Sequence, residues 1–173
     1  MTWILYAIKC NAKVIEIDVI DYERLPQCMF NSASLEELNL CIISRIDKDD
    51  SDILKKLAFG CPALEDLYLN ECNMDIRVVS FPKLKYLNIR SEAVEHTWVE
   101  SIRAPNLVSL VLDGCAQFFG ETSLEKMPSL MRAAISLWSC YCFDAEKCNL
   151  LRAVANIQNL ELSGSKILLN ALY

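Results

Sequence analysis

The residues of this chain that could do chemistry are one histidine, a run of carboxylates and a group of three cysteines. His96 is the only histidine, so a cysteine–histidine pair could use no other residue as its base. It lies in a connecting stretch, SEAVEHTWVES, and no glycine-rich loop or nucleophile elbow occurs in the sequence. We therefore expect that the chain is not an enzyme and has no catalytic residues.

Two segments contain residue types that bind metal ions. The segment DKDDSD, residues 47–52, alternates carboxylates as a calcium loop would, but it lacks the required glycine and has Ala58 where the bidentate glutamate should stand. A solvated loop that favours the N-terminus of the following helix explains it better. Cys140, Cys142 and Cys148 lack a C-x-x-C pair and a nearby histidine, which favours buried or loop thiols over a metal site. We expect neither a metal nor a cofactor.

The strongest pattern in the chain is structural, and it is marked by proline. Four of the five prolines stand two residues before a leucine that opens the pattern L-x-x-L-x-L, at intervals of 20, 23 and 23 residues. A period of 20 to 29 residues with this pattern is the signature of leucine-rich repeats, in which each unit supplies one short strand to a parallel stack. The prolines are Pro62, Pro82, Pro105 and Pro128.

The repeat extends in both directions from the proline-marked units. Aligning on the first leucine predicts seven units within a single domain, residues 1–173, that open near residues 12, 35, 64, 84, 107, 130 and 157. The predicted fold is an α/β leucine-rich repeat solenoid, a partial horseshoe with a parallel sheet on its concave side. Helices are predicted over Trp3–Cys10, over ILKKLAF before a C-terminal glycine, Gly60, and over AEKCNLLRAVAN after Asp144. The short interval between Leu64 and Leu84 predicts an extended or 3₁₀ connection.

Composition excludes several classes of partner. The net charge of −6 leaves no basic stripe for phosphates, so nucleic acid is not expected as a partner. No signal peptide is recognisable, and the longest uncharged stretch near the C-terminus, Ala133–Phe143, is too short to cross a bilayer. The nine cysteines are odd in number and unevenly spaced, which favours reduced thiols and an intracellular location, cytoplasmic or nuclear. Cys72 and Cys115 occupy the repeat position where a buried Asn or Cys is typical.

Several phrases of the sequence resemble a known family. The segments WILYAIKCNAKVIEIDV, LPQCMFNSASLEELNL, CPALEDLYL, FPKLKYLNI, APNLVSLVLDG and NIQNLELSG are similar to the leucine-rich region of plant F-box proteins of the FBD/LRR group. The match covers Trp3 to Gly164, and the opening W-x-x-x-A segment followed by LP-x-x-x-F is its most specific part. The resemblance implies that an F-box helix bundle binds the adaptor of a cullin-type ubiquitin ligase while the repeats select the substrate.

The resemblance and the apolar ends of the chain, TWILYAIK and KILLNALY, together suggest a fragment of a longer protein. The F-box should lie upstream of Trp3, so we expect the ligase adaptor to be reached only through that missing element. The expected function is protein–protein interaction, as the substrate-recognition region of an F-box subunit, with a protein substrate of unknown identity. The alternative is a structural or non-functional repeat fragment that does not bind the adaptor.

The candidate binding residues follow from the alternation of side chains along a strand. The positions between the repeat leucines should point away from the core, onto the concave face where such repeats bind partners. A merely solvated face is the alternative. Asn39 and Asn88 occupy the same position in their units, so they could stack as an amide ladder instead of contacting a ligand. The candidates are Glu37, Asn39, Asp66, Tyr68, Asn70, Tyr86, Asn88, Arg90, Asp113 and Arg132.

Overall fold

The main element of the fold is a sheet of seven parallel strands. The computed structural model describes residues 2–19, 25–42, 53–71, 78–91, 99–119, 121–125, 127–138 and 148–164. Ten strands lie in these ranges: β1 Val14–Val19, β2 Glu37–Ile42, β3 Asp66–Asn70, β4 Val78–Ser80, β5 Tyr86–Arg90, β6 Ser101–Arg103, β7 Ser109–Cys115, β8 Ser123–Leu124, β9 Arg132–Trp138 and β10 Asn159–Gly164. The main sheet has the order β1-β2-β3-β5-β7-β9-β10. The protein is therefore α/β with a parallel sheet, compatible with a leucine-rich repeat fold.

The leucine pattern determines the register of the main sheet. Each strand begins two residues after the opening position of a unit, and equivalent positions pair across every junction, as Leu38 pairs with Leu67 and Leu67 with Leu87. Side chains alternate between buried and partly exposed, because successive residues of a strand point to opposite faces. The predicted burial of Leu67 and Leu110 is confirmed, since both are 0% exposed.

A second sheet contributes to the same core and was not predicted. Strands β4, β6 and β8 pair in parallel. Val79 and Ile102 from this sheet belong to the same hydrophobic cluster as the inward leucines of the main sheet. The sequence carries a signal for it, since an apolar residue stands three positions before Pro82 and before Pro105. The extended connection expected between Leu64 and Leu84 is confirmed where the structure describes it, at β4.

Four short α-helices and a 3₁₀ helix complete the described elements: α1 Thr2–Lys9, the 3₁₀ helix Gln27–Asn31, α2 Ile53–Gly60, α3 Ala116–Phe119 and α4 Asn149–Val154. The predicted N-terminal helix is confirmed, and it ends where Asn11 adopts a left-handed φ of 56°. The amide of Ala12 then donates to the carbonyl of Ala7, which closes the helix end. The predicted start of the fourth helix after Asp144 lies outside the described residues.

A glycine is needed at position 60, the end of α2, for a different reason from the one predicted. The sequence suggested a glycine in the left-handed conformation after the helix, but Gly60 is the last helical residue. A Cβ atom at this position would lie 1.6 Å from the carbonyl oxygen of Phe30. The glycine is required because α2 packs closely against the 3₁₀ helix, where even one methyl group has no room.

The described cysteines belong to the core or to isolated surface positions. Cys10, Cys28, Cys41, Cys61, Cys115 and Cys148 are not joined in disulfide bonds. Cys115 is buried, as its repeat position predicts, and Cys61 and Cys148 are buried as well. Burial raises the pKa of the Cys61 and Cys148 thiols above the ordinary value. Cys72, Cys140 and Cys142 lie outside the described residues.

Candidate protein-binding face

The outward side chains of the main sheet form three rows that cross its strands. The register places the first outward residue of each strand beside the first outward residue of the next, and the same holds for the second and third. All ten candidate residues lie on this face. The first row is Val14, Glu37, Asp66, Tyr86, Ser109, Arg132 and Asn159; the second is Glu16, Asn39, Tyr68, Asn88, Val111, Ala134 and Glu161; the third is Asp18, Cys41, Asn70, Arg90, Asp113, Ser136 and Ser163.

Carboxylates dominate the end of the face formed by β1, β2 and β3. Glu37 and Asp66 stand directly opposite each other in the first row, and like charges in that position are destabilising. The pKa of Asp66 is raised, chiefly because its carboxyl is partly buried and further because Glu37 and Glu65 lie close to it. Lys85 acts in the opposite direction, although its ammonium also bonds to Glu65 at 2.6 Å. This end of the face therefore favours a cation.

Two ion pairs border the face without neutralising it. Lys13 pairs with Glu36 at 2.8 Å, and Lys85 pairs with Glu65 at 2.6 Å. All four residues stand one position before a strand, at the border of the face. Exposed pairs of this kind contribute little to stability, because water screens them. The hydrogen bond to the partner glutamate raises the pKa of each lysine, so both stay charged at neutral pH.

Amide side chains connect the first three strands, in a different arrangement from the predicted one. Asn70 donates to the side-chain carbonyl of Asn39 at 2.8 Å, and Asn39 reaches the carboxylate of Glu16 at 3.5 Å. The predicted ladder between Asn39 and Asn88 is wrong, because β3 lies between their strands and places Tyr68 at the intervening position. The side-chain oxygen of Asn88 is buried and finds no hydrogen-bond donor among the described residues. A buried acceptor without a donor costs about 1–3 kcal/mol.

Two tyrosines occupy the middle of the face. Tyr86 follows Asp66 in the first row, and Tyr68 follows Asn39 in the second, so the two rings are diagonal neighbours on adjacent strands. Tyr86 is 44% exposed, while Tyr68 is half-buried. The pKa of Tyr68 is raised, first by burial and then by the nearby Asp66 and Glu37. Tyr68 is therefore neutral at physiological pH. Each tyrosine presents an apolar ring with a hydrogen-bonding tip.

The other end of the face has a cation and a cavity. Arg132 is exposed and has no ion-pair partner among the residues the structure describes. It lines a cavity of about 260 Å³. The small side chains of Ser109 and Ala134 leave this space, whereas the preceding strands place Tyr86 beside Ser109 and Val111 beside Ala134. The full lining is Ser109, Arg132, Ala133, Ala134, Asn159 and Glu161.

Most of the cavity lining was missing from the candidate list. The unit alignment places Ser109, Asn159 and Glu161 at outward positions. Ser109 is small, and Asn159 and Glu161 belong to the last unit, so none of them was selected as a candidate binding residue. A cavity depends on which side chains are neighbours across strands. The signal was available in the alignment, because Ser109 stands at the position equivalent to Arg132 in the preceding unit and Ala134 stands two residues after Arg132.

The other sequence motifs do not form a second site within the described residues. No group of three or more histidine, cysteine, aspartate or glutamate residues is placed there to hold a metal ion. His96 and the segment 47–52 lie outside the described ranges. None of the described helices is long and apolar enough to cross a membrane.

An apolar groove that the sequence did not reveal lies between α2 and β4. It has a volume of about 450 Å³, and Phe59 beside it is 88% exposed. It is separate from the three rows of the sheet face. The residues that line it are Leu54, Lys55, Ala58, Phe59, Val78, Ser80 and Pro82.

Comparison with known proteins finds relatives in one group of plant proteins. The chain is 34% identical over 114 residues to an FBD-associated F-box protein of Arabidopsis thaliana, covering 63% of this chain and 26% of that protein. It is 34% identical over 90 residues to an F-box/FBD/LRR-repeat protein of the same plant, covering 49% of this chain and 20% of that protein. The matches span about a quarter or less of the relatives' length. They confirm the resemblance to the FBD/LRR-type group.

No protein-family model matches the chain. No solved structure matches it either.

Proposed function

We propose that the chain is a protein–protein interaction module whose binding surface is the outward face of the seven-stranded sheet. The observation that carries this proposal is that ten polar and aromatic candidates share one face of a sheet whose other face packs against the hydrophobic core. A parallel sheet normally has both faces covered. Tyrosine and arginine are the residues most enriched at binding hot spots, and this face presents both beside its small-residue cavity.

The finer proposal is that the units stack as a leucine-rich repeat solenoid and form the substrate-recognition region of an F-box subunit of a cullin-type ubiquitin ligase. The names of both relatives include F-box, and one includes LRR-repeat. In such a subunit the F-box binds the adaptor, and the repeats hold the substrate protein. The chain's part in this scheme is selective binding without bond-making chemistry. Described cysteines that form no disulfide bonds fit a reducing compartment, the cytoplasm or nucleus.

A double variant, Tyr68→Ala with Tyr86→Ala, tests the binding face. Immobilised parent and variant chains are exposed to plant extract, and the retained proteins are identified and purified for direct affinity measurement. A central tyrosine contributes on the order of 2 kcal/mol, so we expect the double variant to bind a specific partner at least about 30-fold more weakly. The matched control truncates two exposed aromatic residues away from the face, Tyr6→Ala with Phe59→Ala, which are 71% and 88% exposed.

The control separates the binding face from general loss of aromatic surface. Proteins retained by the parent and the control but lost with the double variant support the proposal. Equal retention by all three chains shows that the sheet face is not the binding surface.

A second arm tests the ligase role. The chain is joined downstream of an F-box helix bundle, and binding of the purified adaptor and ubiquitylation of the captured partner are measured. We expect adaptor binding only in the fusion, and ubiquitylation that the double tyrosine variant abolishes. A fusion that binds the adaptor but ubiquitylates nothing that the chain captures supports the alternative, a structural repeat fragment.

A further inference from the structure

The first row of the sheet face changes charge from one end to the other. In order across the sheet it presents two carboxylates, Glu37 and Asp66, then the ring of Tyr86, the small Ser109 and the guanidinium of Arg132. Because the strands are in register, these side chains lie along one line perpendicular to the strand direction. A partner segment that follows this line meets the negative groups and the positive group in a fixed order and at a fixed separation.

The carboxylates at the acidic end of this row repel each other in the protein without a partner. Glu37 and Asp66 oppose each other on neighbouring strands, and burial of Asp66 adds to the cost of keeping both ionised. The nearest lysine, Lys85, is already bonded to Glu65. A basic side chain from a partner would relieve the repulsion and gain charge-assisted hydrogen bonds.

The basic end of the row combines a positive charge with an adjoining cavity. Arg132 has no ion-pair partner among the described residues, and the cavity of about 260 Å³ beside it is large enough for a carboxylate side chain. Ser109 and Asn159 provide hydrogen-bond donors in the lining. The guanidinium can hold a carboxylate through two parallel hydrogen bonds. Glu161 also lines the cavity and opposes an incoming acid, so it sets how strongly the acid is held.

The spacing of the strands gives the separation of the two charges on the partner. Arg132 lies three strands from Asp66 and four strands from Glu37 in the sheet order. At about 4.8 Å per strand this is roughly 14–19 Å, which an extended peptide spans with about four to six residues. Resting on the proposed binding function, we propose that the first row binds an extended segment of the partner with a basic side chain over Glu37 and Asp66 and a carboxylate over Arg132.

The occupant is a polypeptide because the row demands both signs of charge. A nucleic acid or an anionic lipid surface would be repelled by the carboxylates of β1 to β3, and a purely basic peptide would leave Arg132 without a partner. The ring of Tyr86 between the two ends, 44% exposed, offers an apolar contact for the residues that connect the two charges.

Selection from a random peptide library tests this proposal. The intact chain is used to select from displayed peptides about ten residues long, which exceeds the expected spacing. We expect enrichment of peptides that carry lysine or arginine about four to six residues from aspartate or glutamate. Against Arg132→Glu, these peptides should bind at least about tenfold more weakly, and a new selection should place a basic residue where the acid stood. Against Glu37→Lys with Asp66→Lys, the preference at the other position should reverse.

Matched charge reversals away from the face serve as controls. Lys83→Glu and Glu121→Lys change exposed residues in turns outside the three rows, and neither should alter the selected pattern. Glu161→Gln should tighten binding of the acid-bearing peptides. Circular dichroism of each variant establishes that it is folded.

Each outcome of the selection decides a different proposal. Peptides that depend on Tyr68 and Tyr86 but lack the charge pair overturn the charge pattern and leave the binding face in place. A charge pair that survives reversal of Arg132 also overturns the pattern. No enrichment over the double tyrosine variant overturns both the charge pattern and the proposed function.

Discussion

Truncation of an inward leucine at the centre of the main sheet should destabilise the fold severely. Leu67 is 0% exposed and pairs in register with Leu38 on one side and Leu87 on the other. Leu67→Ala removes three carbon atoms from the core, which at about 0.8 kcal/mol each amounts to roughly 2.4 kcal/mol of lost burial. Because strands on both sides hold the site open, the cavity should raise the total to about 3–5 kcal/mol.

The matched control is Leu160→Ala at the described edge of the same sheet. Leu160 occupies the equivalent position of β10, but it is only partly buried and has a strand on one side, β9. We expect a loss of about 1–2 kcal/mol for this variant. Urea unfolding followed by far-ultraviolet circular dichroism measures both values as changes in the free energy of unfolding.

The comparison of the two variants is what tests the reasoning. A loss below about 1 kcal/mol for Leu67→Ala, or equal losses at the two positions, would refute the assignment of the leucines to a packed core with an edge at β10. If Leu67→Ala does not fold at all, Leu67→Met provides the measurement, because a swap that conserves volume should cost less than about 1.5 kcal/mol.

Three further predictions follow from the described contacts. Gly60→Ala should destabilise the chain by at least about 1–3 kcal/mol, because its Cβ would lie 1.6 Å from the carbonyl oxygen of Phe30; thermal unfolding at an unchanged melting temperature would contradict the close approach. Thiol titration of the denatured chain without reductant should find most of the nine cysteines free, and in the native chain the buried Cys61, Cys115 and Cys148 should react more slowly than the exposed Cys10; recovery of a single thiol after denaturation would reverse the compartment proposal. Because the pKa of Asp66 is raised in the folded state, the folded state binds the proton more tightly, so this residue makes stability fall as pH rises through that range. Asp66→Asn should therefore stabilise the chain at pH 7 and have little effect well below the ordinary aspartate pKa of about 3.9, and equal effects at both pH values would exclude the repulsion.

The main sheet could be predicted from the sequence because its register depends on local spacing. Each L-x-x-L-x-L phrase fixes which residues of its own strand are buried, and a parallel stack pairs equivalent positions of successive units. The position of Leu67 between Leu38 and Leu87 follows from the alignment alone. The second sheet was missed because its strands are two or three residues long, too short for the alternation that reveals a strand.

The features that depend on close packing could not be predicted in the same way. Gly60 was recognised as the end of a helix, but nothing in the sequence places the Phe30 carbonyl beside it. Gly114 is similar, since a Cβ there would lie 2.7 Å from the ring of Phe119. In both cases a glycine makes room for a neighbour from another segment, and that neighbour is known only once the chain is folded.

The candidate binding face could be predicted from the sequence only in part. The unit alignment already contains the order Glu37, Asp66, Tyr86, Ser109, Arg132, because equivalent positions of successive units become neighbours in the sheet. Inspection of one unit at a time finds acids, tyrosines and arginines as separate candidates. The pairing of Asn39 with Asn88 failed because it passed over the unit between them, which places Tyr68 at the same position. Inspection of one position across all units finds the gradient of charge and the gap beside the arginine. In a repeat protein, residues at the same position of successive units form one continuous line of side chains that a partner contacts. A binding surface is therefore best predicted by comparing each position across all the units.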